Sequence, residues 1–405
     1  MYTTVESAPR ARIHRSRRFL LGAMALILAA GIGTTAFLLT HSRPSYQIRS
    51  LATIADPGHG DSIAFSPDGR LLASGDTDGY ARLWDVSGSS RARLAAKLPT
   101  GKSLDSLESG FRVGTSVAFS PNGHVLAVGD PVNEDVRLWN VADPAHPRSV
   151  GLIPVPVSRS SGNVVSALSF SPDGKTLVTG DTAGFIRFWS ISDPARPVML
   201  SSVRQKPGTG AGNSKIGYPV IYLTFSRGTA SPVLASGSRE SPGSVSLWNV
   251  ADPAHPRSLT PAPGDETSLT DVTSLAFQPG GDILAIGGLF PDGRDAPSAM
   301  LWDARPGDEA APSGPTVCLC GANAAPMDPV YTSFSPDGRI LAADDENAGA
   351  LTLLNTANPA HPVTYDTQVI SGGVGPLTFS PDGRTLAVIG RKGIGLWRVP
   401  SPPSG

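Results

Sequence analysis

Cysteine is nearly missing from this chain: of 405 residues only Cys318 and Cys320 are cysteine. Two cysteines cannot build a disulfide framework and do not by themselves make a metal site. They fall in the alternating run Thr316 to Gly321, expected as the outermost strand of the fifth structural unit. Residues two apart on a strand point the same way with Cα atoms about 6.5 Å apart, near the upper limit of disulfide geometry. They read as two small half-buried thiols, with a redox pair or a bond to another chain as alternatives. Catalytic signatures are missing as well. The chain has no Ser-His-Asp grouping, no phosphate-cradling glycine loop and no paired carboxylates at a telling spacing. Lysine is scarce, six against 27 arginines, which with the Ala, Gly and Pro load fits a GC-rich bacterial genome. Formal charge is only −1, and −5 once residues 1–18, with five arginines and one glutamate, are set aside. Without a basic stripe the chain has no electrostatic footprint for nucleic acid. No catalytic residue, cofactor or metal ligand is expected.

What the sequence does have is one phrase repeated. Phe65, Phe119, Phe170, Phe225, Phe277, Phe334 and Phe379 each end a short apolar run, and most enter a Ser-Pro-Asp-Gly turn. A second apolar run, a polar turn and a third run follow. All six tryptophans, Trp84, Trp139, Trp189, Trp248, Trp302 and Trp397, occupy one position of that third run, and Leu354 fills it in the remaining copy. Successive phenylalanines are separated by 54, 51, 55, 52, 57 and 45 residues, a period of stacked supersecondary units. Short alternating runs such as Ser62 to Phe65, Leu71 to Ser74 and Ala81 to Val86 predict strands. Ser66-Pro67-Asp68-Gly69 is a tight turn between antiparallel strands, with proline presetting the second position and glycine taking the exit. Glycine at 45 and proline at 38 suit an all-β chain dense in turns.

The order Phe-Ser-Pro-Asp-Gly, then Leu71 to Gly75, Asp78-Gly79 and Arg82-Leu83-Trp84-Asp85, resembles the WD-repeat family. That resemblance covers residues 46–400 and implies a seven-bladed β-propeller of four-stranded antiparallel blades. It also implies a buried His-Ser/Thr-Asp-Trp hydrogen-bond set, for which Ser74, Asp78 and Trp84 match in the first repeat. His59 sits closer to Phe65 than the family spacing, and Ala183 stands in the third repeat where the aspartate is expected. The set is therefore degenerate, and cohesion is expected to rest on apolar packing of the tryptophans. After Trp397 only Arg398, Val399 and a tail at 401–405 remain, so the seventh blade lacks its own fourth strand. The run Tyr46 to Ile54 is expected to supply it.

Ahead of the repeats, Phe19 to Thr40 holds no charge and follows Arg10, Arg12, Arg15, Arg17 and Arg18. A helix of that length reaches roughly 33 Å, enough to span a bilayer, and the basic leader predicts a cytoplasmic N-terminus. The expectation is a basic tail at 1–18, a transmembrane helix at 19–40, a linker at 41–45 and a propeller outside the cytoplasm. Cleavage of a signal peptide near Thr34 and Ala36, giving a secreted chain, is the alternative.

His146, His255 and His361 share the repeat position Asp/Asn-Pro-Ala-His-Pro, with Arg196 in the third repeat, and are expected to form structural turns. Asp344-Asp345-Glu346 reads as a solvated turn, with cation binding as the lesser reading. In an up-and-down blade the first-to-second and third-to-fourth connections share one face. The opposite face takes long, variable stretches such as Lys102 to Thr115, Arg204 to Pro219, Gly237 to Ser244 and Gly287 to Ser298. Phe111, Arg112, Tyr218, Arg239, Phe290, Arg294, Asp345 and Arg391 are the candidate partner surface there. With a short linker, the regular face is expected toward the membrane and the variable face outward. The function expected is a non-catalytic binding platform for a protein partner. The alternative is a propeller enzyme of lactonase or quinoprotein type with a site at the central channel.

Overall fold

A computed structural model describes residues 48–56, 60–88, 92–100, 114–130, 135–156, 164–205, 219–228, 232–238, 244–259, 271–289, 297–304, 317–318, 330–345, 349–370 and 375–400. The chain divides into two units, Met1–Ser45 and Tyr46–Gly405, and only the second contains described residues. The expected transmembrane helix at 19–40 and the linker at 41–45 lie outside them. Among the described residues no helix is long and apolar enough to cross a membrane.

Seven antiparallel sheets of four strands account for the repeats. Blade 1 runs Gly60–Phe65, Leu71–Asp76, Tyr80–Asp85 and Arg93–Pro99, inner strand to outer. Every anchor phenylalanine ends an innermost strand, and every tryptophan lies on a third strand. The fifth blade's outermost strand is Val317–Cys318, where the cysteine run was expected. Cys320 falls outside the described residues.

The turn after each phenylalanine explains why that motif recurs. Ser66 Oγ donates to Asp68 Oδ1 at 2.6 Å while accepting from Leu71 N at 2.9 Å, and Asp68 Oδ1 also accepts from Arg70 N at 3.0 Å. Gly69 closes the turn at φ +71°, a conformation that resists a side chain. The same hydroxyl-to-carboxylate bond recurs at Ser171–Asp173, Ser335–Asp337 and Ser380–Asp382. At Asp173, burial opposes the charged form, yet the Ser171 hydroxyl and Lys175 N–H outweigh it and hold the carboxyl below its usual range.

Ring closure follows the sequence expectation. Arg49–Ile54 forms the outer strand of blade 7, antiparallel to Gly393–Arg398, with register from Arg49 opposite Arg398 to Ile54 opposite Ile394. The last blade is thus completed by chain from the beginning of the ring, and no edge is left between blades 7 and 1.

Seven apolar clusters lie at the seven seams between neighbouring blades. Each holds one tryptophan, or Leu354 at the seam between blades 5 and 6. Trp189, for instance, meets Leu138 and Ile153 of blade 2 together with Val165 and Leu177 of its own blade. The tryptophan faces the preceding blade, and a second device faces the following one. A one-residue bulge in the outer strand, opposite the step from Leu83 to Trp84, inserts Ala95. Val150, Leu200 and Tyr365 are inserted in the same way in blades 2, 3 and 6. Each inserted residue packs into the next seam, because a bulge turns one more side chain toward that face.

One expectation fails here. Asp344 and Asp345 are not on a solvated turn but end the strand Ile340–Asp345, and Asp344 is fully buried. Strand alternation turns Asp344 inward between Tyr331 and Leu351, its register partners.

Candidate functional site

Whether this ring does chemistry or only presents a surface depends on where its polar groups are spent. Many are spent on the seams. Trp84 Nε1 donates to Ser74 Oγ at 3.1 Å, Trp189 Nε1 to Thr179 Oγ1 at 3.2 Å and Trp248 Nε1 to Ser236 Oγ at 3.0 Å. The indole N–H groups of Trp139, Trp302 and Trp397 have no partner. The cause lies in the second strand: the position held by Ser74, Thr179 and Ser236 is Val128, Ile286 and Val388 in those blades. Leaving a buried donor unpaired costs about 1–3 kcal/mol. Thr179→Val is therefore expected to lose about 1–3 kcal/mol in denaturant unfolding, and to lose little when Trp189 is already phenylalanine. Equal losses in both backgrounds would show that the hydroxyl acts through something else.

The aspartate expected in the set does not complete it. His59 is outside the described residues, and Asp78 points to Arg82 instead. Ser74 Oγ donates to Asp56 Oδ2 at 2.9 Å, a carboxylate on the chain leaving the closing strand. In blade 3, Asp181 rather than position 183 carries the role, accepting from Ala183 N and Phe185 N and pairing with Arg187. In blade 4, Gln205 accepts from Ser236 Oγ at 2.6 Å and donates to Ser244 and Ser246. The common theme is a tie between the chain leaving one blade's outer strand and the next blade's third strand. Arg137 reaches Pro99 O at 3.4 Å and Arg187 reaches Pro156 O at 3.4 Å in the same sense.

The central channel has two unlike halves. The end bearing the Ser-Pro-Asp-Gly turns is a cavity of about 610 Å³ walled by the anchor-phenylalanine ends of all seven inner strands and by turn prolines. The other end, about 650 Å³, carries Ser62, Thr115, Ser166, Ser274 and Thr332. Four of these hydroxyls stitch inner strands together: Ser62 Oγ accepts from Val117 N at 3.2 Å, Ser166 Oγ donates to Val220 O, and Ser274 meets Thr332 at 3.0 Å, whereas Thr115 Oγ1 has no partner among the described residues. Asp61 is the one acidic side chain lining the channel among the described residues. Among those residues no His, Cys, Asp and Glu group could hold a metal ion.

The histidine turns are local structure, as expected. His146 Nδ1 lies 3.0 Å from Asp143 Oδ2 and His255 Nδ1 2.8 Å from Asp252 Oδ2, all exposed. His146 and backbone N–H groups hold the Asp143 carboxyl below its usual range. Of the candidate partner residues, Phe111, Arg112, Tyr218, Arg239, Phe290 and Arg294 lie outside the described residues. Asp345 ends a second strand and Arg391 sits exposed on a second-to-third turn, both at the end of their sheets that carries the second-to-third turns. The tie made by Asp56 and Gln205 was missed from sequence, since each bonds across a seam to residues 18 and 31 or more positions away.

Seven four-stranded blades closed by an N-terminal strand define a seven-bladed β-propeller. Three of its seven repeats are similar to the WD40 family: the description "WD domain, G-beta repeat" matches residues 48–85, 101–140 and 155–190. Those stretches end just past Trp84, Trp139 and Trp189, in the three blades whose second strands end in Asp76, Asp130 and Asp181. The chain is 35% identical over 138 residues to small ribosomal subunit protein RACK1z of Oryza sativa subsp. japonica, covering 33% of this chain and 36% of that one. It is 31% identical over 141 residues to small ribosomal subunit protein RACK1 of Caenorhabditis elegans, covering 34% and 39%. The chain thus spans under two fifths of the length of these relatives.

Proposed function

We propose that this propeller is a non-catalytic platform that docks a protein partner on its variable-loop face. The observation that carries the reading is the division of labour in the ring. Many hydroxyls, arginines and buried acids are committed to seams and inner-strand stitching, while most of the long connections fall at one end of the sheets, the one between Asp303 and Val317 lying at the other. A rigid scaffold with variable loops at one end is where binding usually resides. The lining of the channel, with Asp61 as its one acid among the described residues, weighs against a site assembled there. The relatives are named as proteins of the small ribosomal subunit, which supports docking onto a larger assembly. We further propose that residues 19–40 tether the propeller to a membrane with the propeller outside the cytoplasm, on the strength of that uncharged run and its arginine leader.

The test uses the full chain in its own cells, with a photo-crosslinking residue placed singly at Arg112, Arg239, Arg294 or Arg391 on the variable face. The controls carry it at Asp68, Asp173 or Asp382 on the regular face. Partner adducts at least tenfold more abundant from the variable positions are expected. Equal yield from both faces would overturn the docking surface, and recovery of the chain in the cytosolic fraction would overturn the tether.

A further inference from the structure

The two ends of the channel differ in what their hydroxyls do. Toward the second-to-third turns, Ser62, Ser166, Ser274 and Thr332 are spent on stitching neighbouring inner strands. Toward the Ser-Pro-Asp-Gly turns they are unspent. The residue before each anchor phenylalanine lines this chamber and is small in every blade: Ser169, Thr224, Ser333 and Thr378 in blades 3, 4, 6 and 7, alanine in the rest. All seven are half-buried, and none of the four hydroxyls is bonded to another group among the described residues. The mouth varies at one position. Pro67, Pro121, Pro279, Pro336 and Pro381 line it from five turns, whereas blade 4 presents Arg227 where those turns have proline. Blade 4 also lacks the turn aspartate, and its turn is longer: Ser226 Oγ accepts from Val233 N, seven positions on, where Ser66 Oγ accepts from Leu71 N, five on.

We propose that this chamber is a binding site for a small organic monocarboxylate, with the carboxylate held by Arg227 and the apolar body lodged among the turn prolines and the aliphatic side chains below them.

Arg227 is the one charged side chain in this lining, and its guanidinium has no partner among the described residues. The turn acids do not neutralise it. Asp68, Asp173 and Asp382 are each bonded to their own turn serine, and each has a cation two positions on, Arg70, Lys175 and Arg384. Asp282, in the next turn round the ring, makes no ion pair with it. The backbone that carries Arg227 is fixed, since its carbonyl accepts from Gly280 N of blade 5 at 3.0 Å. One cation without a counter-acid selects a single negative charge, and the guanidinium fork matches a carboxylate through two parallel hydrogen bonds. Below the mouth the wall turns apolar. Ile63, Val117, Leu168, Leu275 and Leu377 line this chamber and its neighbour alike, as a collar between the two. Walls of low dielectric focus the field of a charge set among them, which strengthens the pairing over that of a free surface arginine. A volume of about 610 Å³ lies in the range that encloses most of a small ligand. The site binds and does no chemistry, because its lining holds no acid, and it asks nothing of the loop face at the other end of the ring.

Photolabelling of the full chain with 4-benzoylbenzoate, and in parallel with neutral 4-benzoylbenzamide, tests the site. Adducts of the carboxylate are expected on the inner strands Val165–Phe170, Val220–Phe225 and Asp271–Phe277, mapped by peptide mass. Arg227→Gln should lower carboxylate labelling of those strands about tenfold, the worth of one charge-assisted pair, and leave the yield from the amide unchanged. The exposed Arg227 side chain makes no bond among the described residues, so this variant is expected to melt as the unaltered chain does. Ala64→Leu narrows the chamber from across the ring and should depress labelling by both probes, and Ala118→Leu serves equally should Ala64→Leu fail to fold. Carboxylate label spread over the blade rims in place of the channel strands would overturn the proposal. So would equal losses for both probes in Arg227→Gln, no loss for either, or full labelling of a folded variant with the narrowed chamber.

Discussion

Removing residues 46–54 is expected to collapse the stability of the ring. Ile48, just before the closing strand, is buried in the seam between blades 6 and 7, while Ile54, with Leu51 and Ala52 packed against its cluster, is buried in the seam between blades 7 and 1. Burying each large aliphatic side chain contributes about 1.5–3 kcal/mol, so loss of three such residues removes about 4.5–9 kcal/mol. Typical domains hold only about 5–15 kcal/mol in all. Deletion also bares the edge of Gly393–Arg398, an invitation to intermolecular pairing. Comparing thermal unfolding of residues 46–405 with that of residues 55–405 checks this. A melting temperature lower by ten degrees or more, or outright aggregation, is expected, and an unchanged melting curve would contradict ring closure.

The second large effect concerns a single tryptophan. Trp189→Ala should cost about 3–5 kcal/mol, since it empties the middle of the seam between blades 2 and 3. It also strands Thr179 Oγ1, the acceptor of the indole N–H. Denaturant unfolding reads the loss directly. A cost under about 1 kcal/mol would place Trp189 outside the core, as a surface or ligand contact.

Fold was legible because each repeat writes the same two large residues in the same places. A phenylalanine before the tight turn and a tryptophan on the third strand mark blade after blade, even where Arg227 and Gln278-Pro279 replace the usual turn. Strand closure was legible too, from a run before the ring and a missing strand at its end. The bulges that insert Ala95, Val150, Leu200 and Tyr365 were not, because a register slip leaves no mark on composition. Polar ties were half legible. Ser74 and Trp84 were named, but the partner is an aspartate that arrives from blade 7's outer strand, and only ring geometry brings Asp56 there. Asp344 misled because three consecutive acids suggest solvent, whereas strand alternation turns the first of them inward. The candidate partner surface was chosen from loop length and stranded apolar or charged residues. Of it, Asp345 and Arg391 fall within the described residues, both at the end of their sheets that carries the second-to-third turns.

Everything proposed for the loop face depends on a rigid, sealed ring, and one measurement addresses that seal most directly. Arg49 and Arg398 are register partners at the outer end of the closing pair, and both side chains are exposed. Facing residues of an antiparallel pair have Cα atoms about 4.5–5.5 Å apart, within disulfide reach. In a Cys318→Ser, Cys320→Ser background, Arg49→Cys with Arg398→Cys should oxidise to a single intramolecular bond. That bond should be mapped by peptide mass, migrate faster on a non-reducing gel and raise the melting temperature until reductant is added. Free thiols at both positions, or disulfide-linked dimers in place of the internal bond, would mean that the N-terminal strand does not close its own ring.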